Sequence, residues 1–230
     1  MQPGSNPKPR SKPLFALPYA YPLEASFQLP PPQKLPIVPF FKVVTERKSV
    51  RSFCPIDFTE LSTLLAYTAK VKSVKVMLND SIVTRRFSAS AGGVHPIDLL
   101  LSMPAPITNR QLYYYNPFYH QYVSLKLSQA DQLAFFEHVN ECLPLGEGVL
   151  IWMLAHLHRT ERHYENPLSL VWRDAGALLN VLQLSATALE YNSCPVGTLA
   201  EPFIQCLFKE SGPIISAGGI IVGKECKHDT

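Results

Sequence analysis

The chain has little net charge, few cysteines and no long apolar run, and each shortage closes off a class of function. Lys and Arg number 21 against 18 Asp and Glu, a formal charge of +3. No basic run is long enough to build a nucleic-acid groove. No apolar stretch reaches the roughly 18 residues that span a bilayer. The longest, GVLIWMLAHL, is about half that length and reads as a buried strand or core helix. The cysteines, Cys54, Cys142, Cys194, Cys206 and Cys226, lack CxxC spacing. An odd, unclustered set reads as reduced thiols of a cytoplasmic protein rather than a disulfide frame. The opening MQPGSNPKPRSKP is charged but has no apolar core, so it is not expected to act as a signal peptide. His156, His158 and His163 lie close in sequence, but no carboxylate or cysteine has convincing spacing with them, so no metal is expected. No internal repeat is visible.

What is present is an apolar fraction of 47% in 230 residues, enough for one sizeable core or two small ones. Residues 1–40 form a proline-rich tail and arm. Proline fixes φ and removes a donor, so this part reads as extended polyproline-like chain with its first dozen residues disordered. Phe15, Tyr19, Tyr21 and Phe27 suggest an arm that packs on a surface, on this chain or on another subunit. Residues 41–230 have globular composition. DFTELSTLLAYTAK places Asp57 three before Glu60, a capping signal, with Leu61, Leu64 and Leu65 on one helical face. PIDLLLSM reads as a buried strand. QLYYYNPFYHQYVSLKL reads as a hairpin turning at Asn116-Pro117. SQADQLAFFEHVNECL reads as a helix capped by Ser128, and EGVLIWMLAHL as a central strand. RDAGALLNVLQLSATALEY reads as a long helix, with Leu178, Leu182 and Leu189 on its apolar side. EPFIQCLFKE reads as a short helix ended by Gly212-Pro213, and SAGGIIVGKE as a last strand. The pattern predicts an α+β fold, a mixed or antiparallel sheet flanked by helices.

Two short segments carry chemistry. ERKSVRSF places Arg47, Lys48, Ser49 and Arg51 within five residues. In an extended segment Arg47, Ser49 and Arg51 project to one side, and two guanidiniums with a hydroxyl suit a phosphate. RRFSASAGGVHPIDL strings together small residues that let backbone N–H groups approach a ligand, and Ser88 and Ser90 add hydroxyl donors. Taken alone, the first segment reads more readily as a solvated basic patch before a helix and the second as an ordinary tight loop. Asp174, at the start of the long helix, reads as a partner of the helix dipole. Cys194 reads as a small buried residue, and the aromatics of Tyr113–Tyr122 as packing.

In combination the segments resemble the nitroreductase superfamily. ERKSVRSF is similar to its Arg-(Arg/Lys)-Ser-x-Arg-x-Phe opening. RRFSASAGGVHPIDL resembles the Pro-Ser-x-Ser-Ala-Gly-x-x-x-Pro-x-Glu segment of one branch, the azoline dehydrogenases. LYYYNPFYHQ resembles that branch's Tyr-x-Tyr-(Asp/Asn)-Pro-x-x-His hairpin. RDAGALLNVLQLSATALEYNSCPVGTL resembles its long helix and Cys-Pro-(Ile/Val)-Gly turn. The four segments occur in the family's order over residues 41–224.

The resemblance implies a three-layer nitroreductase-type fold and a homodimer with FMN at its interface. Arg47, Ser49 and Arg51 would hold the phosphate and ribityl chain, and Lys48 would approach the pyrimidine edge. Ser88, Ser90, Ala91, Gly92 and Gly93 would line the isoalloxazine. Pro195, Val196, Gly197 and Thr198 would present backbone near N5. Lys224, or Lys227 in its place, would add a basic phosphate ligand. The branch's Lys-Tyr pair corresponds to His163 and Tyr164 in RTERHYENPLSLVWRDAG. Its following Gly-x-Arg is replaced by Glu165-Asn166-Pro167. Histidine titrates near neutrality, so His163 can replace lysine as the base. The implied activity is oxidation of a thiazoline or oxazoline to an azole, with hydride passing to the flavin and electrons to oxygen. A cyclodehydratase complex and a modified peptide or carrier-bound substrate are the implied partners. The alternatives are an NAD(P)H-dependent nitro or quinone reductase and a flavin-binding scaffold subunit.

Overall fold

The computed structural model describes residues 6–15, 19–77, 82–208 and 214–226. Lys8–Pro9 (β1) and Leu23–Gln28 (β2) are extended and paired, and a short helix, Phe40–Glu46 (α1), starts directly after Pro39. Phe58–Ala66 (α2) is followed by the antiparallel pair Ser73–Val76 (β3) and Ile82–Arg85 (β4), then by Ile97–Ser102 (β5). Tyr113–Asn116 (β6) and Gln121–Leu125 (β7) form a hairpin ahead of Gln129–Cys142 (α3) and Val149–His156 (β8). Leu157–Glu161 (α4) and Tyr164–Glu165 (β9) lead into the long helix Leu168–Ala188 (α5). Asn192–Val196 (β10), Phe203–Leu207 (α6) and Ile214–Gly223 (β11) complete the described chain.

A 7-stranded sheet runs β10-β11-β8-β5-β6-β7-β2, and every neighbouring pair in it is antiparallel. Successive strand side chains point to opposite faces. Ile151, Met153 and Ala155 of β8 therefore meet Leu61, Leu64 and Leu65 of α2 and the inner stripe of α5. Leu150, Trp152 and Leu154 meet Phe135, Phe136 and Val139 of α3 and Ile204 and Leu207 of α6. With both faces covered, all of β8 is buried. That is why its sequence is a continuous apolar run rather than an alternating one. The α5 stripe, Val171, Ala175, Leu178, Leu182 and Ala186, has the three- and four-residue spacing of one helical face.

Local chemistry sets the element ends where the sequence indicates. Asp57 Oδ1 accepts the N–H of Thr59 and of Glu60, each at 2.8 Å, and Glu60 Oε2 accepts the Asp57 N–H, closing a capping box. Ser128 Oγ accepts the Asp131 N–H at the start of α3. At the β6–β7 turn, Asn116 Oδ1 accepts from the N–H groups of Phe118 and Tyr119. His120, at φ 55°, is clasped between Tyr115 Oη and Ser62 Oγ, each at 2.8 Å. The Ser62 hydroxyl donates to the Pro30 carbonyl. Its oxygen is left to accept from His120 Nε2–H, and Nδ1 then accepts from Tyr115. The hairpin motif thus locks a turn onto α2.

Several expectations change. The arm is not bare polyproline chain: β2 pairs with β7 at the edge of the sheet. The first dozen residues are not wholly disordered, since Lys8 and Pro9 pair with Glu165 and Tyr164. The arm's Tyr19 and Tyr21 pack on this chain's own second core layer. Cys54 and Cys226 are not reduced thiols but a disulfide. A backbone bridge between Cys54 and Lys224 brings the two Cα atoms within 5.1 Å across 172 residues of sequence. Cys142, Cys194 and Cys206 are free. The long helix begins at Leu168, after Pro167, so Asp174 lies in its second turn and not at its dipole end. Gly212-Pro213 and Lys227 lie outside the described residues.

Candidate functional site

The basic segment leaves α1 at Arg47, whose N–H still bonds to the Val43 carbonyl. It then runs along the end of the sheet. The Val50 N–H reaches the Ser193 carbonyl, and Asn192 Nδ2 donates to the Ser52 carbonyl. The reciprocal backbone pair of Cys54 with Lys224 ties it to the end of β11. Arg47 is half-buried, while Lys48, Ser49 and Arg51 are exposed. None of these three cations forms an ion pair with another described residue. Lys224 joins the same region with its ammonium 2.8 Å from Glu60. At the other end of β10, Val196 is buried and Gly197 opens outward, with nothing within 4 Å of a Cβ placed there. Thr198 Oγ1 is engaged by His138 Nε2 and by the Ala200 N–H, each at 2.9 Å.

The small-residue loop is held by α5. Asp174 accepts Ser90 Oγ at 2.6 Å and the Ala91 N–H at 3.1 Å. Ser90 Oγ in turn accepts the His95 N–H. Burial raises the Asp174 pKa, and the bonds from Ser90 and Ala91 oppose that rise. The carboxylate therefore anchors the loop. Gly92 and Gly93 sit at φ 62° and 67°, the left-handed region. A Cβ at Gly92 would lie 2.9 Å from Tyr164 Oη. The loop and the Tyr164 candidate are thus in direct contact, a juxtaposition the sequence alone does not reveal.

Gly92→Ala is expected to cost about 1–2 kcal/mol, from the left-handed backbone and the crowded hydroxyl. In a Tyr164→Phe background the same change should cost less, because the next ring atoms stand at 3.5 and 3.6 Å. Thermal unfolding of the four proteins checks this. Equal costs in both backgrounds would exclude the contact.

His163 opens onto a cavity of about 300 Å³, lined also by Arg86, Arg159, Arg162, His95 and His158. Its pKa is lowered by burial and then by the Arg162 charge, which favours the neutral imidazole that a base requires. Below the cavity, Arg159 grips Asp98 with two 2.7 Å bonds. His156 Nε2 lies 2.9 Å from Asp98 and 2.7 Å from Tyr21 Oη, and the Tyr21 hydroxyl also reaches Asp98 at 3.1 Å. Arg159, hydrogen-bonded at full charge, holds the Asp98 carboxyl well below the usual range despite complete burial. Burial lowers His156. Sequence reasoning missed Arg86, Asp98, Arg159 and Arg162. Arg86 and Asp98 lie inside the small-residue segment and Arg159 and Arg162 just ahead of His163, but nothing in the spacing of the two stretches shows that they meet.

Within one chain the candidate residues form two groups. The loop is anchored at Asp174, while the basic segment is anchored just past Ala188. Those helix positions are about 21 Å apart along the axis. Among the described residues no hydrogen bond joins segment 47–51 to loop 88–93. No group of His, Cys, Asp or Glu among them could hold a metal ion, and no described helix is long and apolar enough to cross a membrane.

Neither a protein-family profile nor a curated protein matches the sequence. The fold does match solved structures. A protein from Ralstonia eutropha assigned as a nitroreductase aligns at TM-score 0.64 and 19% identity, over 94% of this chain and 99% of that one. One from Anabaena variabilis, also assigned as a nitroreductase, aligns at 0.59 and 19% over 83% of this chain and 42% of that one. A chain of the Escherichia coli microcin synthetase McbBCD complex, solved with truncated pro-MccB17 bound, aligns at 0.56 and 11% over 85% of this chain and 76% of that one. At such identities the likeness speaks for architecture, and this chain has the nitroreductase-type fold.

Proposed function

We propose that the chain is an FMN-dependent oxidoreductase that oxidises a thiazoline or oxazoline in a modified peptide or carrier-bound heterocycle. The observation that carries this reading is the close approach of Tyr164 Oη to Gly92, 2.9 Å from where a Cβ would stand, with the neighbouring His163 lining a cavity that Val94 and His95, just past the loop, also line. A loop stripped of side chains meets one proton-handling group, and the adjacent residue in sequence is the other. The residues fit a flat, phosphorylated cofactor. The loop backbone is bared by Gly92 and Gly93, and Arg47, Lys48 and Arg51 are three cations without ion pairs to described residues.

Bound FMN would supply the two-electron oxidation, passing electrons on to oxygen. The chain's own residues do the rest. Arg47, Ser49, Arg51 and Lys224 would bind the phosphate end. Ser88, with Ser90 and Ala91 held by Asp174, would line the ring, with Pro195, Val196, Gly197 and Thr198 contributing backbone. His163, kept neutral, would take the proton from the ring carbon, and Tyr164 would hold or relay it. The separation of the two residue groups in one chain supports a homodimer in which the partner's loop faces this chain's basic segment. Ile37, Phe40 and Phe41, exposed by 98%, 64% and 79% beside that segment, supply an apolar contact for it.

The first test is a visible absorption spectrum with mass identification of the released chromophore. Arg51→Ala should weaken FMN binding roughly 10- to 100-fold, the worth of a charge-assisted phosphate bond. Tyr164→Phe should keep the flavin and lose azoline oxidation. Full activity in both His163→Ala and Tyr164→Phe would remove the base assignment. Rapid bleaching of the flavin by NADPH, with no azoline turnover, would favour the nitro or quinone reductase suggested by the fold relatives.

A further inference from the structure

The cavity beside His163 is short of negative charge. Among the described residues three arginines line it, Arg86, Arg159 and Arg162, against the single carboxylate of Asp98. That carboxylate is already engaged, with both oxygens bonded to Arg159 and one also to His156. Arg86 and Arg162 form no ion pair with a described residue. Arg86 Nε, Arg162 Nε and His158 Nε2 are buried polar atoms without a hydrogen-bond partner among the described residues. Burying a cationic donor with nothing to receive it is costly.

The same protein shows how it treats a buried arginine that is only structural. Arg110 is 4% exposed. Its guanidinium donates to the carbonyls of Met103, Ala105, Gly146 and Gly148 at 2.9–3.3 Å. Among the described residues Arg86 and Arg162 have no such carbonyl collar, and both line a common space. Forked donors around a space suit an oxyanion, since guanidinium geometry matches carboxylate and phosphate oxygens in pairs. The mouth of the same space is apolar, with Ile82, Val94 and Phe118 around it.

We propose that Arg86 and Arg162, with His158, form an oxyanion subsite that takes the carboxylate or phosphate of an organic ligand whose apolar body lies against Phe118 and Ile82. The inference rests on the reading of His163 as the reacting side, and it deepens that reading. The substrate presented to His163 and Tyr164 carries an acidic group a few bonds from the ring that is oxidised. A neutral internal heterocycle with no acid nearby is then a poor substrate.

The experiment is calorimetric titration of the purified protein, as isolated, in chloride buffer. The probes are benzoate, phenyl phosphate and neutral benzamide. At least one anion should bind about tenfold or more tightly than benzamide, and the tighter of the two names the acid. Arg162→Gln and Arg86→Gln should each weaken that anion about tenfold or more. Arg162→Lys, which keeps charge but loses the fork, should fall between. Arg162 is half-exposed, so its variants test the idea even if Arg86→Gln fails to fold. Equal binding of benzamide and the anions, no binding at millimolar concentration, or unchanged affinity in Arg162→Gln would overturn the proposal. Flavin content is read from the visible spectrum of the same samples. A colourless protein that binds the anion through Arg162 would end the FMN reading and leave the subsite standing. A yellow protein indifferent to the anions would do the reverse.

Discussion

Asp98→Asn is expected to lower stability by about 3–5 kcal/mol, because it leaves the Arg159 guanidinium buried without its counter-charge. At roughly 2–4 °C per kcal/mol for a chain of this size, the melting temperature should fall by something like 6–20 °C. Asp98 is 3% exposed and is fully used by Arg159, His156 and Tyr21. Among the described residues its loss also leaves the cavity with three arginines and no carboxylate. Replacing both partners, as in Asp98→Leu with Arg159→Met, should cost clearly less than the sum of the single changes, since no orphaned charge remains. Circular dichroism melts of the four proteins decide the matter. Additive costs would show that the pair is not coupled. If the anion subsite is correct, benzoate or phenyl phosphate should recover more stability in Asp98→Asn than in the parent.

Stability should also fall steeply as the pH drops from about 6.5 to about 4. His95 and His120 have pKa values lowered from 6.5 to about 4. Burial is the main cause in both, followed by the Arg86 charge for His95 and the Lys70 charge for His120. Below pH 6.5 the unfolded chain takes protons that the folded chain refuses, so each step toward acid favours unfolding. Below about 4 both states are protonated and the penalty levels off. Two and a half pKa units are worth roughly 3 kcal/mol per histidine, a large part of the 5–15 kcal/mol typical of a domain. His120 has both ring nitrogens engaged, by Ser62 and Tyr115, so protonating Nδ1 must turn the Tyr115 hydroxyl from donor to acceptor. Asp98 acts in the adjoining window. Its folded pKa is depressed, so its contribution is intact above the ordinary carboxylate range and is lost as the pH falls further. Denaturant midpoints measured from pH 4 to 7 should rise with pH. Replacing His120 with Gln should flatten the slope even if it lowers the plateau. A midpoint independent of pH across this window would refute the burial argument for both histidines.

Much of this was legible in residue pattern where the signal is local. The Asp57–Glu60 capping box, the Ser128 cap, the hairpin at Asn116-Pro117 and the buried run of β8 depend on neighbours a few positions apart, and each element forms where its residues indicate. The β2 strand was not legible because all six of its residues are exposed. An edge strand with no buried face has no alternation to read. Helix α1 buries only Val43, so its seven residues carry no stripe. The candidate site divides the same way. The small-residue loop and the basic segment stand out as compositions. The Asp174 anchor, the Arg159–Asp98 pair 61 residues apart and the Cys54–Cys226 bridge are created by tertiary proximity, for which the sequence provides no spacing rule.

The arm has a consequence for the order of assembly. Tyr21 bonds to His156 across 135 residues, and Arg10 to the Glu161 carbonyl across 151. During synthesis the arm leaves the ribosome well before either partner exists. Such distant closures are slow to form. The arm is therefore made early and placed late, and until it settles, the Asp98–His156 network stays unsealed and β7 remains a bare edge. A nascent chain held at that stage presents a ready template for mispairing with another copy. Maturation of the cavity floor thus waits on the return of the arm, after the chain has been translated past His156 and Glu161.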